Sequence, residues 1–183
     1  SGSADGSQEF LRREWPGVKL IQLPANMGWA GGNNAGILYA VRRGFDYVFV
    51  LNTDIILRPR FFEEIMRVGE RNESYGVFGC KIYYMGTKRM QAAGGGMLTR
   101  ENPTGALHFG QGELDRGQCD SVRELDYLYE PAFAVKREVF EKVGLLDPEW
   151  FILMEGADFC LRAKRAGFKT VYVPKAVVEH EVS

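Results

Sequence analysis

The chain is 183 residues long, 45% apolar and 26% charged, with a formal net charge of −1, which is ordinary composition for one globular domain with a real core. That balance excludes a global pull on nucleic acid or anionic lipid, no apolar run approaches the roughly 18 residues of a membrane span, and no signal-peptide pattern opens the chain. Cys80, Cys119 and Cys160 are odd in number and outside any CxxC spacing, so buried free thiols in a reducing, cytosolic compartment are expected rather than disulfides or zinc.

In chain order, Ser7 is placed to cap a helix Gln8–Trp15, whose apolar Phe10, Leu11 and Trp15 recur at helical spacing. Pro16-Gly17 ends it, Val18–Leu23 reads as a strand, and residues 24–31 read as a loop. Asn33–Arg43 reads as a helix turning Ile37, Leu38 and Val41 inward, with Gly44 as its stop. The run Tyr47–Leu51, without polar alternation, predicts a strand buried on both faces. Pro59 opens a helix to about Arg71, with Phe61, Phe62, Ile65, Met66 and Val68 towards the core, and Gly76–Tyr84 is a strand. From Met85 to Gln118 glycines crowd and apolar periodicity disappears, which predicts short antiparallel pieces and a mobile flap. Val122–Tyr129 and Ala132–Lys136 read as strands, and Arg137–Val143 as a helix stopped by Gly144. Gly156–Ala166 is a helix stopped by Gly167, and Thr170–Val173 a last strand before Pro174. Helix and strand alternate as in an α/β domain, with a mostly parallel sheet covered by helices on both faces.

The carboxyl end of Tyr47–Leu51 turns abruptly polar at Asn52-Thr53-Asp54, and open α/β sheets bind ligands outside the carboxyl ends of their strands. Asp54 is a hard oxygen donor suited to Mg²⁺ or Mn²⁺ bridging a diphosphate; its plainer reading is a residue that closes a turn. The glycines of residues 26–36 lead into a helix, so their N–H groups either face an anion or let the helix pack tightly on the sheet. Trp29 is a lid or a core residue.

Asn52-Thr53-Asp54 resembles the Leu-Asn-x-Asp form of the DxD motif of inverting family 2 glycosyltransferases, particularly the rhamnosyltransferase-like members. Three further blocks are similar to that family in the same order: Asp5-Gly6-Ser7, the stretch from Asn26-Met27-Gly28-Trp29 to Gly36, and Glu155 to Gly167 followed by His180. The resemblance implies a Rossmann-like GT-A domain and transfer of a sugar, from dTDP-rhamnose or a UDP-sugar, to a lipid-linked or polysaccharide acceptor with inversion. It also implies Asn52, Asp54, Gly32 and Asn33 on the donor, and a metal held by Asp54 with His180, whose alternative is an ordinary residue after a strand. The family's opening β-α-β unit, about 30 residues, and its continuation past the residue matching His180 have no counterpart here, so a single domain cut at both ends is expected. An unpaired sheet edge then invites self-association, and a lipid-linked acceptor implies contact with the inner face of a membrane.

Glu155 to Arg162 aligns without gaps to the family's Glu-Asp-x-Asp-Leu-Cys-x-Arg block, in which the Asp after the Glu is the usual catalytic base; here that position is Gly156. Glu155 and Asp158 are the remaining catalytic candidates, each with the plainer reading of a carboxylate at a positive helix N-terminus. The second departure is Glu130-Pro131, where a small Gly-Ala pair is usual, and a charge there is expected to alter or obstruct the acceptor pocket. The competing expectation is a non-catalytic, transferase-like domain acting through association with another chain.

Overall fold

The computed structural model describes residues 5–103, 105–150 and 154–181. Its elements in chain order are α1 (Ser7–Glu14), α2 (Gly28–Arg42), β1 (Tyr47–Leu51), β2 (Ile55–Leu57), α3 (Phe61–Gly69), β3 (Tyr75–Tyr84) and β4 (Met90–Ala93). There follow β5 (Gly95–Gly96), β6 (Arg123–Leu125), β7 (Tyr127–Leu128), β8 (Ala132–Lys136), α4 (Arg137–Val143), α5 (Glu155–Arg165) and β9 (Lys169–His180). Two long central strands, β3 and β9, run parallel side by side. β8 and then β4 share the outer edge of β3, β6 and then β2 share that of β9, and β1 joins β8.

The α/β class therefore holds, but the sheet is mixed: β3–β9 is the one parallel pair among the described residues, and the other pairings are antiparallel. An apolar run records burial and not direction, so the sequence could not settle this. Strand periodicity sends alternate residues to two cores. Val77, Phe133, Val135 and Tyr172 meet α2, α4 and α5 on one face. Phe78, Cys80, Ile82, Ala134 and Val171 meet Phe61, Ile65 and Val68 of α3 on the other. All three cysteines are free and buried.

Several expectations are corrected. Val18–Leu23 forms no strand; no neighbour pairs with it among the described residues, and Val18 and Ile21 are exposed. α1 is capped by Gly6 in the left-handed region, while the Ser7 N–H bonds Asp5 Oδ1 at 3.1 Å. α2 starts at Gly28, so Gly31, Gly32 and Asn33 lie within a helix. The helix forms there despite glycine's low propensity, and glycine at 31 is what the space allows, since a Cβ would lie 2.7 Å from Met27 Cβ. Tyr47, Phe49 and Leu51 are only half-buried, because they share the α3 face of the sheet, which is less fully covered at β1 than the face of Val48 and Val50. Phe62 is exposed and Met66 half-buried, the other α3 positions being core. Of the stretch Met85 to Gln118, the short antiparallel pieces are present as β4 and β5, and residues 90–96 are all buried, so that part packs into the core, while most of residues 97–118 are exposed or half-buried. Two of its glycines are dictated by closeness: a Cβ on Gly96 would lie 2.7 Å from the Leu107 carbonyl oxygen, and one on Gly95 would lie 2.9 Å from Leu128 Cα. Residues 122–129 split into β6 and β7 at Asp126, which accepts bonds from Leu98 N–H and Lys164. β9 runs on past Pro174 because the register jumps from Cys80–Val173 to Lys81–Val177, and the bulge takes up the residue that cannot donate.

Candidate active site

The site is assembled by two strand pairings. Antiparallel β2–β9 sets Ile55 opposite His180, and Glu181 N–H bonds the Asp54 carbonyl at 3.0 Å, so Asp54 meets the end of β9. Antiparallel β1–β8 sets Leu51 opposite Ala132, and Asn52 N–H bonds the Pro131 carbonyl at 2.9 Å, so Glu130 arrives beside the end of β1. Between these strand ends lies a pocket of about 470 Å³ whose lining includes Trp29, Asn52, Tyr129, Glu130, Glu155 and His180.

On one side, His180 Nε2 stands 3.4 Å from Asp54 Oδ1. The other ring nitrogen, Nδ1, is 2.7 Å from Gln91 Oε1, and Gln91 Nε2 donates to the His180 carbonyl at 2.8 Å. That carbonyl only accepts, so the Gln91 amide nitrogen must face it; Oε1 then faces the ring and Nδ1 must carry the proton. Nε2 is left with its lone pair turned to a carboxylate, which fits a cation shared by the two. Among the described residues no three His, Cys, Asp or Glu side chains are grouped to hold a metal. A two-ligand arrangement suits an ion whose other positions are filled by substrate phosphate and water. Asn52 is fixed by Trp29, whose Nε1–H donates to Asn52 Oδ1 at 3.2 Å.

On the other side are two carboxyl groups. Glu155, the first residue of α5, is 1% exposed, its Oε2 has no partner among the described residues, and burial pushes its carboxyl up. Glu130 enters from the turn before β8 and accepts the Gly156 N–H at 2.8 Å. Burial, with the Glu155 charge alongside, pushes Glu130 up to about 7. His108 packs against Tyr129 with the rings tilted by 37° and their centres 4.5 Å apart, and also lines the pocket.

The structure thus brings Asn52, Asp54, His180 and Glu155 together. It does not bring in the other three. Asp158 accepts Arg162 Nε–H at 2.7 Å, and Arg162 in turn binds the Val143 and Leu145 carbonyls, which ties α5 to the end of α4. Gly32 does not line the pocket, and Asn33 bonds the Trp29 carbonyl within α2 and borders a separate groove along β1. Gln91, Tyr129 and His108 were missed. Gln91 and His108 sit in a stretch without periodicity and Tyr129 at the end of an expected strand with no motif beside it, and only the tertiary fold carries them to the site.

The strand-end site on a mixed α/β sheet is that of the GT-A fold, and solved structures of that fold superpose on the chain. GalNAc-T7 with UDP, GalNAc and Mn²⁺ does so with a TM-score of 0.70 at 16% identity, over 98% of this chain and 35% of that one. The mannosyltransferase PcManGT from Pyrobaculum calidifontis, in complex with GDP-Man and Mn²⁺, gives 0.63 at 14% identity, over 100% and 46%. The sequence pattern of the family described as glycosyltransferase like family 2 matches residues 4–183, and the chain belongs to that family. Among similar curated proteins, the low-salt glycan biosynthesis hexosyltransferase of Haloferax volcanii is 26% identical, over 88% of this chain and 52% of its own length. The N-acetylglucosaminyl-diphospho-decaprenol L-rhamnosyltransferase of Mycobacterium tuberculosis is 27% identical, over 98% and 64%. The dTDP-rhamnosyl transferase of Shigella flexneri is 25% identical, over 90% and 52%. The chain spans between half and two thirds of the length of these relatives.

Proposed function

We propose that this chain carries the active site of a glycosyltransferase that moves a sugar from a nucleotide-sugar donor, dTDP-rhamnose or a UDP-sugar, to a lipid-linked or polysaccharide acceptor with inversion. The observation that carries the reading is the Asp54–His180 pair at the end of β1, with Nε2 turned to the carboxylate, beside a pocket that also holds two carboxyl groups. Asp54 and His180 would hold Mg²⁺ or Mn²⁺, which would supply positive charge to offset that of the departing diphosphate. Asn52, braced by Trp29, orients the donor beside it. The relatives' names, rhamnosyl and hexosyl transferases, support the donor class, and the decaprenyl-linked acceptor of one supports a lipid-linked acceptor.

No helix among the described residues is long and apolar enough to cross a membrane. A cytoplasmic domain that meets a lipid-linked acceptor at the inner face of the membrane, and self-associates through a sheet edge, accords with this reading. The test is thermal unfolding with UDP or dTDP in the presence of Mn²⁺ or EDTA. A ligand bound only by the native state stabilises it by mass action, so Tm rises more with Mn²⁺, and Asp54→Asn removes that difference. A metal-dependent rise unchanged in Asp54→Asn would leave Asp54 a turn residue.

A further inference from the structure

We propose that Glu130 is the general base of the transfer reaction, its carboxylate occupying the space that a side chain at position 156 would otherwise fill. The inference rests on the transferase reading and goes beyond it by assigning the proton acceptor to a residue outside the Glu155–Gly167 block.

The first ground is steric. A Cβ built on Gly156 would lie 2.7 Å from Glu130 Cδ and 2.8 Å from Cγ, with Oε1 closer still. Gly156 has no left-handed φ, so its backbone does not demand glycine. Space demands it. Glu130 and Gly156 are one feature seen from two elements, a carboxylate supplied by the turn before β8 in place of one from the first turn of α5.

The second ground is how Glu130 is held. Oε1 accepts the Gly156 N–H at 2.8 Å, which fixes the carboxylate, while Oε2 accepts no bond among the described residues. Its side chain lines the pocket that His180 and Asn52 also line. Among the neighbouring carboxylates, Asp158 is engaged by Arg162 and Asp54 faces His180, while Glu155 lines the same pocket at 1% exposure, less open to an acceptor than the half-buried Glu130. Burial beside Glu155 also brings Glu130 to about 7, where a base can both hold and release a proton near neutrality.

In the step itself, Glu130 takes the proton of the acceptor hydroxyl as the acceptor oxygen forms its bond to the anomeric carbon. The bond from that carbon to the diphosphate breaks, and its electron pair leaves with the nucleoside diphosphate. Water in the acceptor's place reacts in the same way and gives donor hydrolysis, so no particular acceptor is needed for a test.

Release of nucleoside diphosphate from UDP-glucose, UDP-N-acetylglucosamine, GDP-mannose and dTDP-rhamnose is measured with Mn²⁺, and binding of UDP and dTDP by calorimetry. Glu130→Gln keeps an oxygen for the Gly156 N–H but cannot take a proton. It is expected to lower release by about 10²–10⁴-fold with nucleotide affinity retained. Gly156→Asp alone is expected to lose activity through collision with Glu130, whereas Glu130→Gly with Gly156→Asp regains at least about tenfold over Glu130→Gly, a carboxylate having returned to the same space. Release at the parental rate in Glu130→Gln overturns the proposal. If Glu130→Gln also loses nucleotide binding, the double variant decides: recovery over Glu130→Gly supports the base, and none overturns it. A parent that releases nothing from any of these donors refutes the transferase reading itself, and the base with it.

Discussion

At the scale of single residues, the imidazole of His180 is set by a side chain that does not line the pocket. Gln91 is buried in β4, its amide oriented by the His180 carbonyl, and so it dictates which ring nitrogen keeps a lone pair. Partners that orient a metal-binding histidine commonly contribute about 10–100-fold to metal affinity. Gln91→Leu is therefore expected to weaken Mn²⁺ binding in the presence of UDP or dTDP by that order, with metal-free Tm lowered only slightly. Titration by calorimetry checks it, and unchanged Mn²⁺ affinity would mean that the tautomer is fixed elsewhere.

At the scale of elements, β3 is tied to the glycine-rich stretch by a buried ion pair. Lys81, with its side chain 4% exposed, donates to Asp115 at 2.7 Å and to Asp120 at 2.6 Å, and the Tyr83 hydroxyl also donates to Asp115. Burial works against a charged Asp115, yet the bonds from Lys81, Tyr83 and the Gly117 N–H outweigh it and hold the carboxyl down at about 2, from 3.8. A carboxyl lowered on folding contributes stability above its unfolded value, and the contribution is lost as pH falls from about 3.8 through 2. Asp115→Ala strands the Lys81 ammonium with only the exposed Asp120, and is expected to cost about 3 kcal/mol at neutral pH, less as the pH approaches 2. Urea unfolding at pH 7 and pH 3 tests this; equal losses at both would remove Asp115 as the anchor.

At the scale of the whole molecule, the sheet ends on an edge. Arg137 N–H bonds the Asp46 carbonyl and Asn52 N–H bonds the Pro131 carbonyl. By alternation, the backbone groups of Tyr47, Phe49 and Leu51 point away from β8, where no strand meets them among the described residues. A groove lined by β1 and by Asn33, Gly36, Ile37 and Ala40 of α2 runs along that edge. Unpaired strand edges accept further strands, so the chain of 20.6 kDa is expected to gain mass with concentration in light scattering. A constant monomer mass across the micromolar range would count against an edge that recruits another copy.

The sequence by itself determined the elements whose signals are local. Tyr47–Leu51, Ala132–Lys136 and Arg137–Val143 with its Gly144 stop fall where apolar run, β-propensity and helix stop place them. Asn52 and Asp54 at a strand's carboxyl end, and the block from Glu155, were legible for the same reason: each is a short motif beside a recognisable element. Tertiary structure alone decided strand direction, because burial looks the same in parallel and antiparallel neighbours. It also decided that α2 begins at Gly28, against the low helix propensity of its glycines. In sequence, Glu130 reads as an obstruction and Gly156 as a loss, for they are 26 positions apart. Only the fold that lays the turn before β8 against the first turn of α5 shows one filling the space the other leaves.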